Sequence, residues 1–314
     1  MQISRRQTIG AILAGSLTAA MDTRAQARPT PLFNRTTQPL GIQLYMLGNE
    51  FGSDRNRMFT ELARAGYRRF EADWSIVSQP DVLEAAHRHG LSCNSVHINP
   101  MGLGSGEGPA LEKMAAAIGV KGIRFAGAPI FPFAPSLLKG NRDPMPAALS
   151  RITAAMTVDD WHRVADLFNR CGAIFRKNDL RFFYHNHNVE FRPLEGTTPF
   201  ELLLQNTDPT LVSFELDVGW AVAAGHDPLT IMKKHQDRFR LMHIKDIASG
   251  TAANYAFNQL PTTVGSGIIS WHKVIPAARA AGISEFFVEQ EPPFQGPRIN
   301  AARLSAKYLL ATRA

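Results

Sequence analysis

The sequence predicts one (β/α)₈ barrel, and three observations lead there. Eight short apolar runs alternate with eight longer stretches of helical spacing. The short runs are nearly continuous in apolar residues, as strands buried on both faces of a parallel sheet must be. No Gly/Ser-rich or charged linker interrupts the alternation between residues 40 and 314. Eight units favour closure into a barrel over an open doubly wound sheet. The 314 residues accommodate one such domain of about 250 residues with room to spare.

The elements follow in order. Residues 40–45 read as the first strand, and 57–65 as a helix ending at Gly66, a plausible C-cap. Strand 67–71 precedes helix 80–89, closed by Gly90, and strand 91–97 precedes helix 111–118. Strand 123–126 is followed by a connection rich in Pro and Phe, residues 128–157, and then by a long helix to about 178. Such a connection is too long for an ordinary loop and would overhang the active face, so a lid or an oligomer contact is expected. The second half repeats the pattern: strands 180–187, 211–217, 239–245 and 285–289 alternate with helices 199–205, 228–235, 271–281 and 301–311.

The first 27 residues read differently. Ser4-Arg5-Arg6-Gln7-Thr8-Ile9 sets an arginine pair before a short apolar stretch, and Ala25-Gln26-Ala27 offers small residues at a cleavage position. That is the layout of a secretory signal, and the paired arginines resemble the twin-arginine type. The run is too short and too rich in Gly and Ala for a membrane span of roughly 20 residues. The expectation is an exported, periplasmic protein with no stable membrane insertion after cleavage, and residues 28–39 as a linker. Removing the leader takes the net charge from +7 to +5. The remaining basic residues are scattered, so no nucleic-acid partner is expected. Cys93 and Cys171 fit neither a CxxC nor a His/Cys zinc spacing and read as small buried hydrophobes.

The chemistry lies at the strand ends, which face the active side of a barrel of this type. The second strand ends in Glu71 with Asp73 beyond it, the third in His97, and the fifth in His185-Asn186-His187 with Glu190 close behind. The sixth ends in Asp217, the seventh in His243 and Lys245-Asp246, and the eighth in Glu289 and Glu291. Taken singly, Asp217 could cap the next helix, His243 could be a satisfied core histidine, and Glu289 could pair with Lys245. Taken together they suit a divalent ion such as Mn²⁺, Co²⁺, Zn²⁺, Mg²⁺ or Fe²⁺, and the lack of thiolates argues against a structural zinc.

Glu215-Leu216-Asp217-Val218-Gly219-Trp220, Tyr184-His185-Asn186-His187, Met242-His243-Ile244-Lys245-Asp246 and Phe287-Val288-Glu289-Gln290-Glu291 resemble segments of the xylose-isomerase-like sugar isomerase/epimerase superfamily. Hydroxypyruvate isomerase, ketose 3-epimerases, inosose dehydratase and endonuclease IV belong to it. The resemblance covers nearly all of residues 40–314. It implies one divalent metal ion, Mn²⁺ first among the candidates, held by Asp217, His243 and Glu289. Many members have a glutamate on the fifth strand where this chain has His185, so His185 either replaces that ligand or the ligand has moved. Glu289, Glu190 and Lys245 are the expected catalytic residues. Glu71, His97, His187, Trp220 and Glu291 are the expected contacts to a small sugar or glycoside. Proton transfer beside a chelated carbonyl and hydroxyl makes a sugar isomerase or epimerase the expected function; a lyase or hydratase that expels a β-substituent from a keto-sugar or 3-keto-glycoside is the alternative. A non-catalytic sugar-binding barrel is the reading from another class, and a homo-oligomer is possible.

Overall fold

The computed structural model describes residues 30–104 and 106–313. The leader read from residues 1–27 lies outside them. Eight parallel strands close on themselves in the order β1-β8-β7-β6-β5-β4-β3-β2. They are β1 Gly41–Gln43, β2 Arg69–Asp73, β3 Ser92–His97, β4 Phe125–Ala128, β5 Arg181–His185, β6 Val212–Asp217, β7 Phe239–Ile244 and β8 Glu285–Val288. The outer ring is α1 Arg55–Ala65, α2 Val82–Arg88, α3 Pro109–Gly119, α4 Val158–Arg176, α5 Pro199–Asn206, α6 Pro228–Lys234, α7 Trp271–Ala280 and α8 Arg298–Ala311.

Local chemistry starts these helices where the barrel needs them. Thr157 and Asp160 cap α4 reciprocally, each side chain bonding the other residue's backbone N–H. Asp227 and Thr198 accept from the first-turn amides of α6 and α5, each followed by a proline already set for helical φ. Gly66 ends α1 in the left-handed conformation at φ 109°.

Alternation along the strands sorts the barrel interior into levels. Phe125, Phe183, Leu241 and Phe287 form an apolar layer contributed by β4, β5, β7 and β8. Two residues onward, His185, His243 and Glu289 point into the same interior one level higher, because side chains repeat with period two. This layer of the barrel interior is therefore apolar, and the level above it is polar.

Three sequence expectations change in detail. The proposed linker is not free chain in its described part: Leu32 and Phe33 are buried, Leu32 N donates to Thr312 O at 3.1 Å, and Phe33 meets Phe286 edge-on at 5.6 Å. The connection 128–157 folds a helix of its own, Met145–Ala155, after a 3-10 turn at Pro135–Leu138. Phe131 anchors it against Trp161, with ring centroids 5.6 Å apart. Short helices Asn49–Ser53, Trp74–Val77 and Val218–Ala223, and a two-stranded ribbon of Asp246–Ile247 with Pro261–Thr262, were not anticipated. Cys93 and Cys171 are both buried and unpaired, as expected. Among the described residues, no helix is long and apolar enough to cross a membrane.

Backbone contact between β4 and β5 is close at Gly127, where an added Cβ would lie 2.2 Å from the Phe183 carbonyl oxygen and 2.5 Å from its ring. Gly127→Ala should therefore cost about 1–3 kcal/mol by overpacking. A urea midpoint unchanged from wild type would show that the strands relax freely there.

Candidate active site

A polar cavity of about 240 Å³ opens at the C-terminal ends of the strands, lined by Gln43, Tyr45, Asp73, His97, Pro129, His185, His187, His243, Glu289 and Glu291. A larger groove of about 520 Å³ runs beside the 128–157 connection. Its wall is mostly apolar, with Met101, Phe133, Leu137, Met156 and Leu167, so the polar cavity is where the chemistry lies. Of the 128–157 connection, Pro129 reaches the polar cavity.

Strand register brings the polar residues together. Asp217 stands beside His243, His185 beside Glu215, Asp73 beside His97, and Gln43 beside Glu71. At the deepest level Glu71 and Glu215 share three imidazoles. His97 Nε2 lies 3.1 Å from oxygens of both carboxylates, and His243 Nε2 lies 2.8 Å from Glu71 and 3.2 Å from Glu215. His185 Nδ1 contacts Glu215 at 3.1 Å. Gln43 donates to Glu71 at 3.0 Å, and the Ser95 hydroxyl donates to its other oxygen.

One level up, His243 Nδ1 lies 2.6 Å from Glu289 and 3.7 Å from Asp217 Oδ2. The Lys245 ammonium is 2.9 Å from Asp217, 3.3 Å from Glu289 and 2.9 Å from Glu291. Trp220 does not line the cavity; it lies beneath Lys245, whose Nζ is 5.0 Å from the indole centroid. Glu190 also faces away. It is fully buried and accepts from the Tyr184 hydroxyl and, at 2.8 Å, from the His187 backbone N–H. His187 itself lines the cavity, and its Nδ1 has no partner.

Charge follows from these contacts. Burial opposes ionisation of Glu71 and Glu215, yet the imidazoles around them hold both carboxyls down at about 2. Burial likewise opposes charging His97, but Glu71 and Glu215 raise it to about 10. Burial is outweighed again at His243 by Glu215 and Glu289, and at Lys245 by Asp217, Glu289 and Glu291, so both are held protonated. His185 is pushed down by burial and by the charge on His243, and His187 falls to about 3 through burial and Lys245. Desolvation lifts Glu190 to about 7 despite its hydrogen bonds. The cavity thus presents two neutral imidazoles on the fifth-strand side and Glu289 and Glu291 on the other; the Lys245 ammonium is buried behind these carboxylates, and Lys245 and Glu71 do not themselves line the cavity.

The donor set fits a divalent cation. Asp217, His243 and Glu289 each offer a ligand atom, all within 4.8 Å of one another, and so do His97, His185, Glu215 and His243. His185 Nε2 lies 3.8 Å from Asp217 Oδ2, so the expected fourth ligand borders the first set. Asp217 Oδ2 is buried and receives no hydrogen bond, its contact with Lys245 being ionic only; Glu215 Oε1 is also buried without a partner. Glu215 was not singled out from the sequence as a site residue. Its signal is visible there nonetheless, as an acid two positions before Asp217 in an otherwise apolar strand.

Coordination requires neutral His243, which the cation-free cluster holds as imidazolium. Binding therefore releases a proton, and metal affinity should rise about tenfold per pH unit for each proton displaced. Titration calorimetry in buffers of different ionisation enthalpy checks the proton count; affinity independent of pH would contradict it. Asp217→Ala and His243→Ala should each abolish stoichiometric retention of Mn²⁺, and full retention by both would remove this site.

The sequence profile of the xylose isomerase-like TIM barrel family matches residues 59–312. An inosose dehydratase of Lacticaseibacillus casei is 31% identical over 169 residues, covering 50% of this chain and 56% of the relative. The chain thus spans just over half the length of the curated relatives it matches. A sugar phosphate isomerase/epimerase of Parabacteroides distasonis superposes with a TM-score of 0.68 at 27% identity, covering 87% of this chain and 94% of that one. The barrel of E. coli 3-keto-D-glucoside 4-epimerase superposes with a TM-score of 0.60 at 16% identity, covering 86% and 98%, a likeness of fold. With the profile matching most of its length and the barrel closing as the profile requires, this chain belongs to the xylose isomerase-like TIM barrel family.

Proposed function

We propose that the protein is a metal-dependent carbon–oxygen lyase that eliminates a β-substituent from a keto-sugar or keto-glycoside. The observation that carries this reading is the asymmetry of the cavity. Its eighth-strand side has Glu289 beside a charged Lys245, whereas its fifth-strand side has neutral His185 and His187 and no carboxylate, Glu190 being turned away. Isomerisation and epimerisation by a carboxylate pair need a second carboxylate across the substrate. Elimination needs one base and one acid.

A divalent ion supplies Lewis-acid polarisation of a carbonyl and its neighbouring hydroxyl when bound by Asp217, His243 and Glu289, with His185 beside them. The side chains do the rest. Glu289, kept ionised against its burial by Lys245, is the base for the proton next to the carbonyl. As that C–H bond breaks, a C=C bond forms and the C–O bond at the β-carbon breaks. The Lys245 ammonium supplies the proton that the departing oxygen requires. The products are an unsaturated ketone and water or an alcohol. Tyr45, more than half exposed at the rim, and Asp73 are placed to contact sugar hydroxyls. The match to an inosose dehydratase supports the same class of reaction.

Isomerisation or epimerisation is the second reading, favoured by His187, a neutral imidazole that lines the cavity and whose Nδ1 has no partner. Incubation of Mn²⁺-loaded protein in D₂O with aldoses, ketoses and 3-keto-glycosides separates the two. Release of an aglycone or an unsaturated ketone is expected; deuterium in a recovered isomer with no elimination product would assign the second reading. Lys245→Met and Glu289→Gln should each lower kcat by about 10²–10⁴-fold. In Lys245→Met, metal retention should persist while elimination is lost, and wild-type turnover in that variant would exclude the ammonium as the acid.

A further inference from the structure

The opposite end of the barrel carries a charge arrangement that the reaction does not use. Arg124, Arg176, Arg181 and Arg240 line one hollow of about 450 Å³, together with Phe125, Asp179, Leu180, Thr210, Leu211 and Ser284. These residues lie at or just before the N-terminal ends of β4, β5, β6, β7 and β8 or at the end of α4. The layer of Phe125, Phe183, Leu241 and Phe287 stands between this hollow and the catalytic cavity.

Four guanidinium groups meet one carboxylate there, and among the described residues no ion pair links any of the four to an acid. Their neighbour Arg69 differs, since Glu285 takes it at 2.9 and 3.0 Å. The side-chain hydrogen bonds of Arg176, Arg181 and Arg240 run to neutral oxygens. Arg181 donates to Pro209 O at 2.7 Å, Arg240 to Phe239 O at 2.8 Å, and Arg176 to the Thr210 hydroxyl at 3.4 Å. Arg181 Nε is buried with no partner at all. Burial and the charges of Arg240 and Arg176 lower the Arg181 pKa.

We infer that this hollow is an anion site for a phosphate-type oxyanion, formed by Arg124, Arg176, Arg181 and Arg240 at the N-terminal face of the barrel. Guanidinium forks match the oxygens of a tetrahedral oxyanion, and four of them, with no acid among the described residues in ion-pair distance, line this one hollow. The hollow is larger than one orthophosphate requires, so the phosphoryl group of a small metabolite fits the same chemistry as the free ion. An occupant there stabilises the fold through binding and cannot touch a substrate beyond the apolar layer.

The test is calorimetric titration of the metal-loaded full chain with inorganic phosphate, and in parallel with glucose 1-phosphate, at constant ionic strength set with chloride. Saturable binding is expected, at least tenfold weaker in Arg181→Gln/Arg240→Gln and unchanged in Lys245→Met. Tighter binding of the sugar phosphate than of inorganic phosphate assigns a phosphorylated metabolite, and the reverse assigns the free ion. Should the first double variant fail to fold, Arg124→Gln/Arg176→Gln, at exposed positions, gives the same reading. No saturable binding, equal affinity in the arginine variant that folds, or loss in Lys245→Met would overturn the assignment.

Discussion

The structure depends most on how charge is balanced inside the upper barrel. Glu71, Glu215, Asp217 and Glu289 are all buried there, and isolated burial of even one ionised carboxylate is strongly unfavourable. Each is paired instead. His97 serves Glu71 and Glu215, His243 touches all four, and Lys245 shares Asp217 Oδ2 and Glu289 Oε2 with His243. The carboxylates are thereby balanced by protonated groups, while Asp217 Oδ2 and Glu215 Oε1 still lack hydrogen-bond donors. A divalent ion held by the same residues would replace one of these protons, so protonation and coordination would be alternative solutions to one electrostatic problem. This explains why the plain readings of Asp217, His243 and Glu289 as cap, core histidine and ion-pair partner are each realised in the same residues that could hold a metal.

How far the sequence reveals this follows from what each residue's signal is. A strand's last inward position is legible because an apolar run stops at a charged or imidazole residue, and Asp217, His243, Glu289 and His97 all stand at such a stop. Glu215 has no such mark, since it lies within the run and only its two-residue offset from Asp217 aims it at the same interior. Gln43 is hidden for the same reason on β1. Glu190 and Trp220 fail in the other direction. Both lie just after a strand, yet the 3-10 turn Val189–Phe191 folds Glu190 back onto Tyr184, and the Val218–Ala223 helix places Trp220 beneath Lys245. Chain direction after a strand is set by these turns, which period and composition do not encode.

The fold was more legible than the site because its signals are redundant. Each strand–helix unit carries its own apolar run, helical spacing and caps, so a shifted boundary at one element leaves the count of eight intact. The segment 28–39 shows the limit of composition. Its Pro, Thr and Gln content reads as linker, but two apolar residues, Leu32 and Phe33, suffice to bury it against the chain's last elements. The connection 128–157 shows the same limit, since Phe131 fixes a stretch whose prolines suggest a loop.

The turn after β6 joins fold and site most tightly. Asp217 caps the Val218–Ala223 helix through Oδ1, which accepts from Trp220 N at 2.8 Å, and that bond fixes the carboxylate plane. Oδ2 is then aimed at Lys245 and His243 rather than at solvent. The helix so started brings Gly219 against Lys245, where an added Cβ would lie 2.7 Å from its Cγ and 2.8 Å from its carbonyl oxygen. Lys245 therefore has one place for its stem, with Trp220 below it and three carboxylates around its ammonium. A single helix cap thus orients the Asp217 carboxylate, positions the Lys245 ammonium and excludes a side chain that would displace it. The segment Asp217-Val218-Gly219-Trp220 is one device, and its residues are constrained jointly rather than one by one.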